Sequence, residues 1–240
     1  MGDLKHHFVL VAEKEREYYY KLLYPMQDKI LFALFSKYRD KLYLTGGTAL
    51  SRFYFQHRFS DDLDLFSESL DFERAHRDIV NTIEKLGYEV DFADTTCSYI
   101  RLFVSDTYGT VLKIDFVRDK PIESPVERKG IYLDTLTSIA VNKITAFEDR
   151  AEAKDIIDLF YLVRKEGINI KRILTLAEQK RVPVPYEELL TINAVGISGK
   201  VLLTKPIDFT ELEKFVEELK SSVSEYIKKN SQRQGRGPKK

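Results

Sequence analysis

The chain has 240 residues, 43% of them hydrophobic and 32% charged, with 38 basic and 38 acidic side chains that cancel. That is enough apolar content for one large core or two small ones, and the zero net charge carries no overall polyanion-binding signal. One cysteine, Cys97, excludes an internal disulfide, and no apolar run approaches the length of a membrane span, so the reading is a soluble, cytoplasmic protein with no membrane partner.

In chain order, residues 4–21 and 25–39 read as helices; Ile30, Leu31, Leu34 and Phe35 share one face of the second. The N-terminus has no signal-peptide core and no serine or threonine at the sixth position, so neither a leader nor a myristoyl anchor is expected. Residues 41–47 (KLYLTGG) form a short strand ending at two glycines, and 48–57 (TALSRFYFQH) a helix with His57 as a helix-end or packing residue. Residues 61–67 (DDLDLFS) are the next strand, and 71–87 a helix with an acidic start and a glycine stop. Strands follow at 88–93, 97–105 and 110–117, the last two joined by a hairpin turn; Cys97 is expected to be a small packed residue. Residues 118–130 hold two prolines and no periodicity, which marks a linker or long loop. Helices are expected at 134–149, 153–165, 169–180, 186–194 and 209–229. The basic tail 230–240 reads as disorder, with RNA contact as the sharper alternative. The order implies an α/β (α+β) fold, a mixed sheet with flanking helices at 1–130 and a helical C-terminal domain at 131–229.

The chemistry concentrates in FSDDLDLF, residues 59–66. Strand alternation turns Leu63 and Leu65 one way and Asp62 and Asp64 the other. Like charges side by side need a cation or water, and Mg²⁺ takes hard oxygen ligands of this kind. Asp115 is an acid flanked by Ile114 and Phe116 on a later strand. Three such carboxylates from two strands suit two metal ions about 3.5–4 Å apart, which align an attacking hydroxyl with phosphorus. The bland alternative is a set of strand-edge charges, and D-x-D pairs also serve glycosyltransferases. Gly46 and Gly47, at a strand-to-helix junction, would let a phosphate approach the backbone, with Thr48 capping the helix or binding an oxygen.

A strand, Gly-Gly, a helix, D-x-D after 14 intervening residues and a third aspartate together resemble the nucleotidyltransferase superfamily of DNA polymerase beta. GGTAL followed by H-R-x-S-x-D-L-D-L-F is similar to the AbiEii/AbiGii toxin family. A second stretch on Lys143, Ala146, Arg150, Lys154, Asp155, Asp158 and Leu159 resembles that family's K-x-x-A-x-x-x-R-x-x-x-[KR]-D-x-x-D-L signature. Taken alone, Lys143 is a lysine within an apolar stripe, either snorkelling or facing a cleft, and Lys154, Asp155 and Asp158 form a solvated face with a Lys154–Asp158 contact.

The resemblance implies transfer of a nucleoside monophosphate from an NTP, with Asp62, Asp64 and Asp115 as catalytic and metal residues. It makes Lys143 and Asp158 essential and places Gly46, Gly47, Thr48, Ser60, Arg150, Lys154 and Asp155 around the nucleotide. It implies Mg²⁺, with two ions, and by analogy a tRNA acceptor, an antitoxin partner and a role in phage defence. A small-molecule or protein acceptor and a non-catalytic nucleotide-binding module are the rival readings.

Overall fold

The computed structural model describes residues 4–147, 152–180, 183–192 and 197–234. In chain order its elements are β1 (Phe8–Leu10), α1 (Glu13–Tyr18), α2 (Tyr24–Tyr38), β2 (Tyr43–Thr45), α3 (Gly46–Thr48), β3 (Leu63–Ser67), α4 (Phe72–Glu84), β4 (Glu89–Thr95), β5 (Tyr99–Ser105), β6 (Val111–Arg118), β7 (Val126–Arg128) and β8 (Ile131–Leu133). After these come α5 (Leu136–Thr145), α6 (Ala153–Glu166), α7 (Ile170–Lys180), α8 (Tyr186–Leu190), β9 (Val201–Leu203) and α9 (Phe209–Gln234). They divide into two compact units, Leu10–Thr135 and Met1–Val9 with Leu136–Lys240.

The first unit is built on a seven-stranded sheet of order β4-β5-β6-β3-β2-β8-β7. β3 runs parallel to β6 and antiparallel to β2, so the sheet is mixed, as expected. Leu63 and Leu65 of β3, Leu112, Ile114 and Phe116 of β6, and Ile100, Leu102 and Val104 of β5 are fully buried. They share the core with Ile30, Leu31, Leu34 and Phe35 of α2 and Phe72, Ile79 and Ile83 of α4. Asp71 caps α4, its side chain accepting from Arg74 N at 3.3 Å. Between α1 and α2 the chain widens into a π turn over Tyr19–Leu23, just before Pro25. Proline has no N–H and its ring crowds the preceding turn, which favours such a bulge.

Four expectations need correction. Residues 4–21 are not one helix: a 3₁₀ turn at Leu4–His7 leads into β1, and the helix begins at Glu13. The apolar run at 8–11 finds a partner strand, β9, and that pairing overrides the helical period. The stretch 118–130 is not all loop, because β7 lies within it and pairs with β8, which joins the sheet beside β2. Cys97 precedes β5 and is exposed, so it does not pack. α9 runs to Gln234, five residues into the stretch read as a disordered tail, and 235–240 lie outside the described residues.

The helical unit packs α5 against α6 and α7, and α9 against α6, α7 and α8. Its core includes Ile139, Ile144, Ile156, Ile157, Ile173, Leu174, Phe215 and Val223. Gly167, left-handed at φ 66°, ends α6. No helix among the described residues is long and apolar enough to cross a membrane.

Candidate active site

Sheet register assembles the acids. Asp64 of β3 is the direct partner of Asp115 on β6, Asp115 is the partner of Arg101 on β5, and Asp64 is also the partner of Thr45 on β2. Register partners point to the same side of a sheet. Arg101, Asp115, Asp64 and Thr45 therefore form one row across four strands, on the face opposite the α2–α4 core. Asp62 stands just before β3 and reaches Lys113 of β6, Oδ2 to Nζ at 2.8 Å.

The glycine turn closes on this row. Gly46 follows Thr45 at φ 68°, and a β-carbon there would lie 2.3 Å from Asp64 Oδ2. Only glycine satisfies both the left-handed backbone and the close approach. A β-carbon on Gly47 would meet the Arg58 guanidinium at 2.2 Å and Ser60 Oγ at 3.0 Å. Thr48 is buried; its hydroxyl donates to the Asp62 carbonyl and lies 3.0 Å from Ser60 Oγ. Thr48 and Ser60 thus tie the turn to the start of β3. Thr45 donates to Asp134 Oδ2 at 2.7 Å. Asp61 points elsewhere, accepting from Tyr19 Oη at 2.6 Å.

Two cations stand among the three carboxylates. Arg101 forks onto Asp115, Nε to Oδ1 at 2.8 Å and Nη2 to Oδ2 at 2.9 Å, and Tyr99 Oη donates to Oδ1 at 3.0 Å. Lys113 Nζ lies 3.7 Å from Asp115 Oδ2. Burial pushes the Asp115 carboxyl up, but the Arg101 hydrogen bonds and the Lys113 charge outweigh it and hold it below the usual carboxylate range. Burial would likewise lower the Lys113 ammonium; its bond to Asp62 and the carboxylate charges raise it instead.

Among the described residues no three Asp, Glu, His or Cys side chains converge on a metal position. Asp62 is turned to Lys113 and Asp115 to Arg101. The donor set still suits a hard divalent cation. It is all oxygen, two carboxylates are in register on adjacent strands, and a phosphate-bound Mg²⁺ needs only one or two carboxylates. Sequence reasoning missed Arg101 altogether. Its signal was a charged residue between Ile100 and Leu102, the same signal that marked Asp115.

In the helical unit, Lys143 Nζ lies 2.7 Å from both Asp155 Oδ1 and Asp158 Oδ2, and all three side chains are buried. The expected solvated face of α6 is thus wrong for Asp155 and Asp158. They form a buried triad across α5 and α6, and Lys154 pairs with Glu152 at 2.7 Å. Arg150 lies outside the described residues.

A family model for the nucleotidyl transferase AbiEii toxin of type IV toxin–antitoxin systems matches residues 29–230. The chain belongs to the AbiEii nucleotidyltransferase toxin family. As an AbiEii-family member it is a nucleotidyltransferase. An uncharacterized protein of Aquifex aeolicus (strain VF5) is 28% identical over 198 residues, 78% of this chain and 89% of that protein. The fold is similar to that of a candidate nucleotidyltransferase from H. pylori, with a TM-score of 0.59 at 20% identity over 92% of this chain and 98% of that one. It is also similar to the nucleotidyltransferase toxin MenT4 of Mycobacterium tuberculosis H37Rv, with a TM-score of 0.55 at 19% identity over 85% of this chain and 83% of that one. The AbiEii match covers both signature stretches, 42–66 and 135–162.

Proposed function

We propose that this AbiEii-family enzyme transfers a nucleoside monophosphate from an NTP to an acceptor hydroxyl in a Mg²⁺-dependent reaction, at the row formed by Asp64 and Asp115. The register pairing of these two acids beside the Gly46 turn is the observation that carries the reading. Asp62 and Asp64 would hold a Mg²⁺ ion, and Asp115 would complete a second ion position and help to deprotonate the attacking hydroxyl. Bound Mg²⁺ supplies neutralisation of phosphate charge and alignment of the reacting oxygens. Gly46 and Gly47 admit a phosphate to the backbone, while Thr48 and Ser60 brace the turn. Lys143, Asp155 and Asp158 form a buried charged cluster that joins α5 to α6.

The acceptor in this reading is tRNA, the partner is a cognate antitoxin, and the setting is a cytoplasmic toxin–antitoxin or phage-defence pair. The toxin–antitoxin character of the family supports the partner. Incubating purified protein and its Asp64→Ala variant with Mg²⁺, each labelled NTP and total tRNA tests the reaction and the acceptor. Asp64-dependent label on tRNA is the expected result. Label on a protein or small molecule instead would move the acceptor, and Asp64-independent label would reject the site.

A further inference from the structure

Asp115 has almost no acceptor capacity left. Its Oδ1 accepts from Arg101 Nε and Tyr99 Oη, and its Oδ2 accepts from Arg101 Nη2 and lies within ion-pair reach of Lys113. A carboxylate offers about four lone-pair directions, and a forked arginine holds two of them in its strongest geometry. Asp62 is likewise taken by Lys113.

The two sides of the Arg101–Asp115 pair are not equally fixed. The Asp115 side chain is 10% exposed, whereas Arg101 is 39% exposed and rests over the Tyr99 ring, 5.3 Å from its centroid. Arginine carries its guanidinium on a long stem, so Arg101 can leave for solvent or a nearby anion without opening the core beneath Ile100 and Leu102.

We propose that Arg101, backed by Lys113, is a competitive latch: it occupies Asp115 in place of the divalent cation and moves to the phosphates of the nucleotide when the cation binds. The inference rests on Asp62, Asp64 and Asp115 being the cation ligands. Bare metal then binds poorly, because it must displace a guanidinium that is forked onto Asp115. Metal with nucleotide binds well, because the triphosphate receives the released Arg101. Metal and nucleotide are thereby coupled, each raising the affinity for the other.

Mn²⁺ titration of the full chain without nucleotide, with free ion read by electron paramagnetic resonance, separates the possibilities. Arg101→Met is expected to tighten Mn²⁺ binding by about threefold or more, and adding Asp64→Ala to that variant to weaken it by about tenfold. If Arg101→Met does not fold, Arg101→Gln, which keeps a donor to Asp115 but no charge, carries the same test. Unchanged or weaker Mn²⁺ binding on loss of the Arg101 charge, with binding still dependent on Asp64, overturns the latch alone. Mn²⁺ binding indifferent to Asp64 overturns the ligand assignment and the latch with it.

Discussion

Asp64 and Asp115 are direct partners across the parallel strands β3 and β6, yet their neighbours on the opposite face, Leu65 and Phe116, are fully buried. The acids stand on a rigid apolar support, and their own side chains are not part of it. Truncating one should therefore cost chemistry more than stability.

Asp64→Ala is expected to lower nucleotide transfer by about 10²-fold or more, the scale seen when a group stabilising transition-state charge is removed. Its thermal midpoint should stay close to wild type. A transfer assay beside a thermal melt checks this, and a collapsed melt would mean that Asp64 supports the sheet itself.

Gly46→Ala should fail for two reasons at once. Alanine at φ 68° costs about 1–2 kcal/mol, and its β-carbon would strike Asp64 Oδ2. The displaced carboxylate should lower kcat more than nucleotide affinity. Steady-state kinetics with a melt distinguishes this from simple unfolding. Gly130, at φ 79° with open space around it, is the control: alanine there should strain the backbone without touching activity.

The buried Lys143–Asp155–Asp158 triad is expected to make Lys143→Met expensive. Removing the cation takes a buried partner from two carboxylates of α6, and breaking a buried ion pair costs about 3–5 kcal/mol. Adding Asp155→Asn and Asp158→Asn should recover a large part of that loss. Urea denaturation of the single and triple variants measures it; no recovery would mean that packing around the lysine stem, not charge, holds these helices.

Asp78 on α4 receives Lys37 and Tyr38 from α2, and these contacts hold its carboxyl below the ordinary value. A depressed folded-state value means that the unfolded chain binds the proton more readily. The contribution is present above the unfolded carboxylate range, near pH 4, and is lost as pH falls through the lower folded value. Asp78→Asn should therefore lower stability at neutral pH and flatten the acid limb of the stability curve. Chemical denaturation between about pH 2 and 7 reads both. An unchanged acid limb would show that Asp78 contributes nothing to it.

The mixed sheet was legible because period-two alternation at 61–67 and 110–117 survived intact, with apolar residues on one side and acids on the other. β1, β7 and β9 were not legible. Each is three residues long, too short for a period to register; β1 and β9 form by pairing with each other across the chain, and β7 by pairing with the adjacent β8. Asp155 and Asp158 misled for a related reason. Helical spacing grouped them as a solvated face, since a wheel shows which residues lie together but not what packs against them.

The amino-acid order by itself determined the family and the strand–glycine–helix–strand plan, because these are local in the chain or are carried by short spacings. Only the tertiary structure decided which cations face Asp62 and Asp115. Arg101 and Asp115 are 14 residues apart and meet through the β5–β6 register, a one-residue slip of which would turn Arg101 into the core. Lys143 and Asp155 likewise meet because two helices pack, not because their spacing requires it.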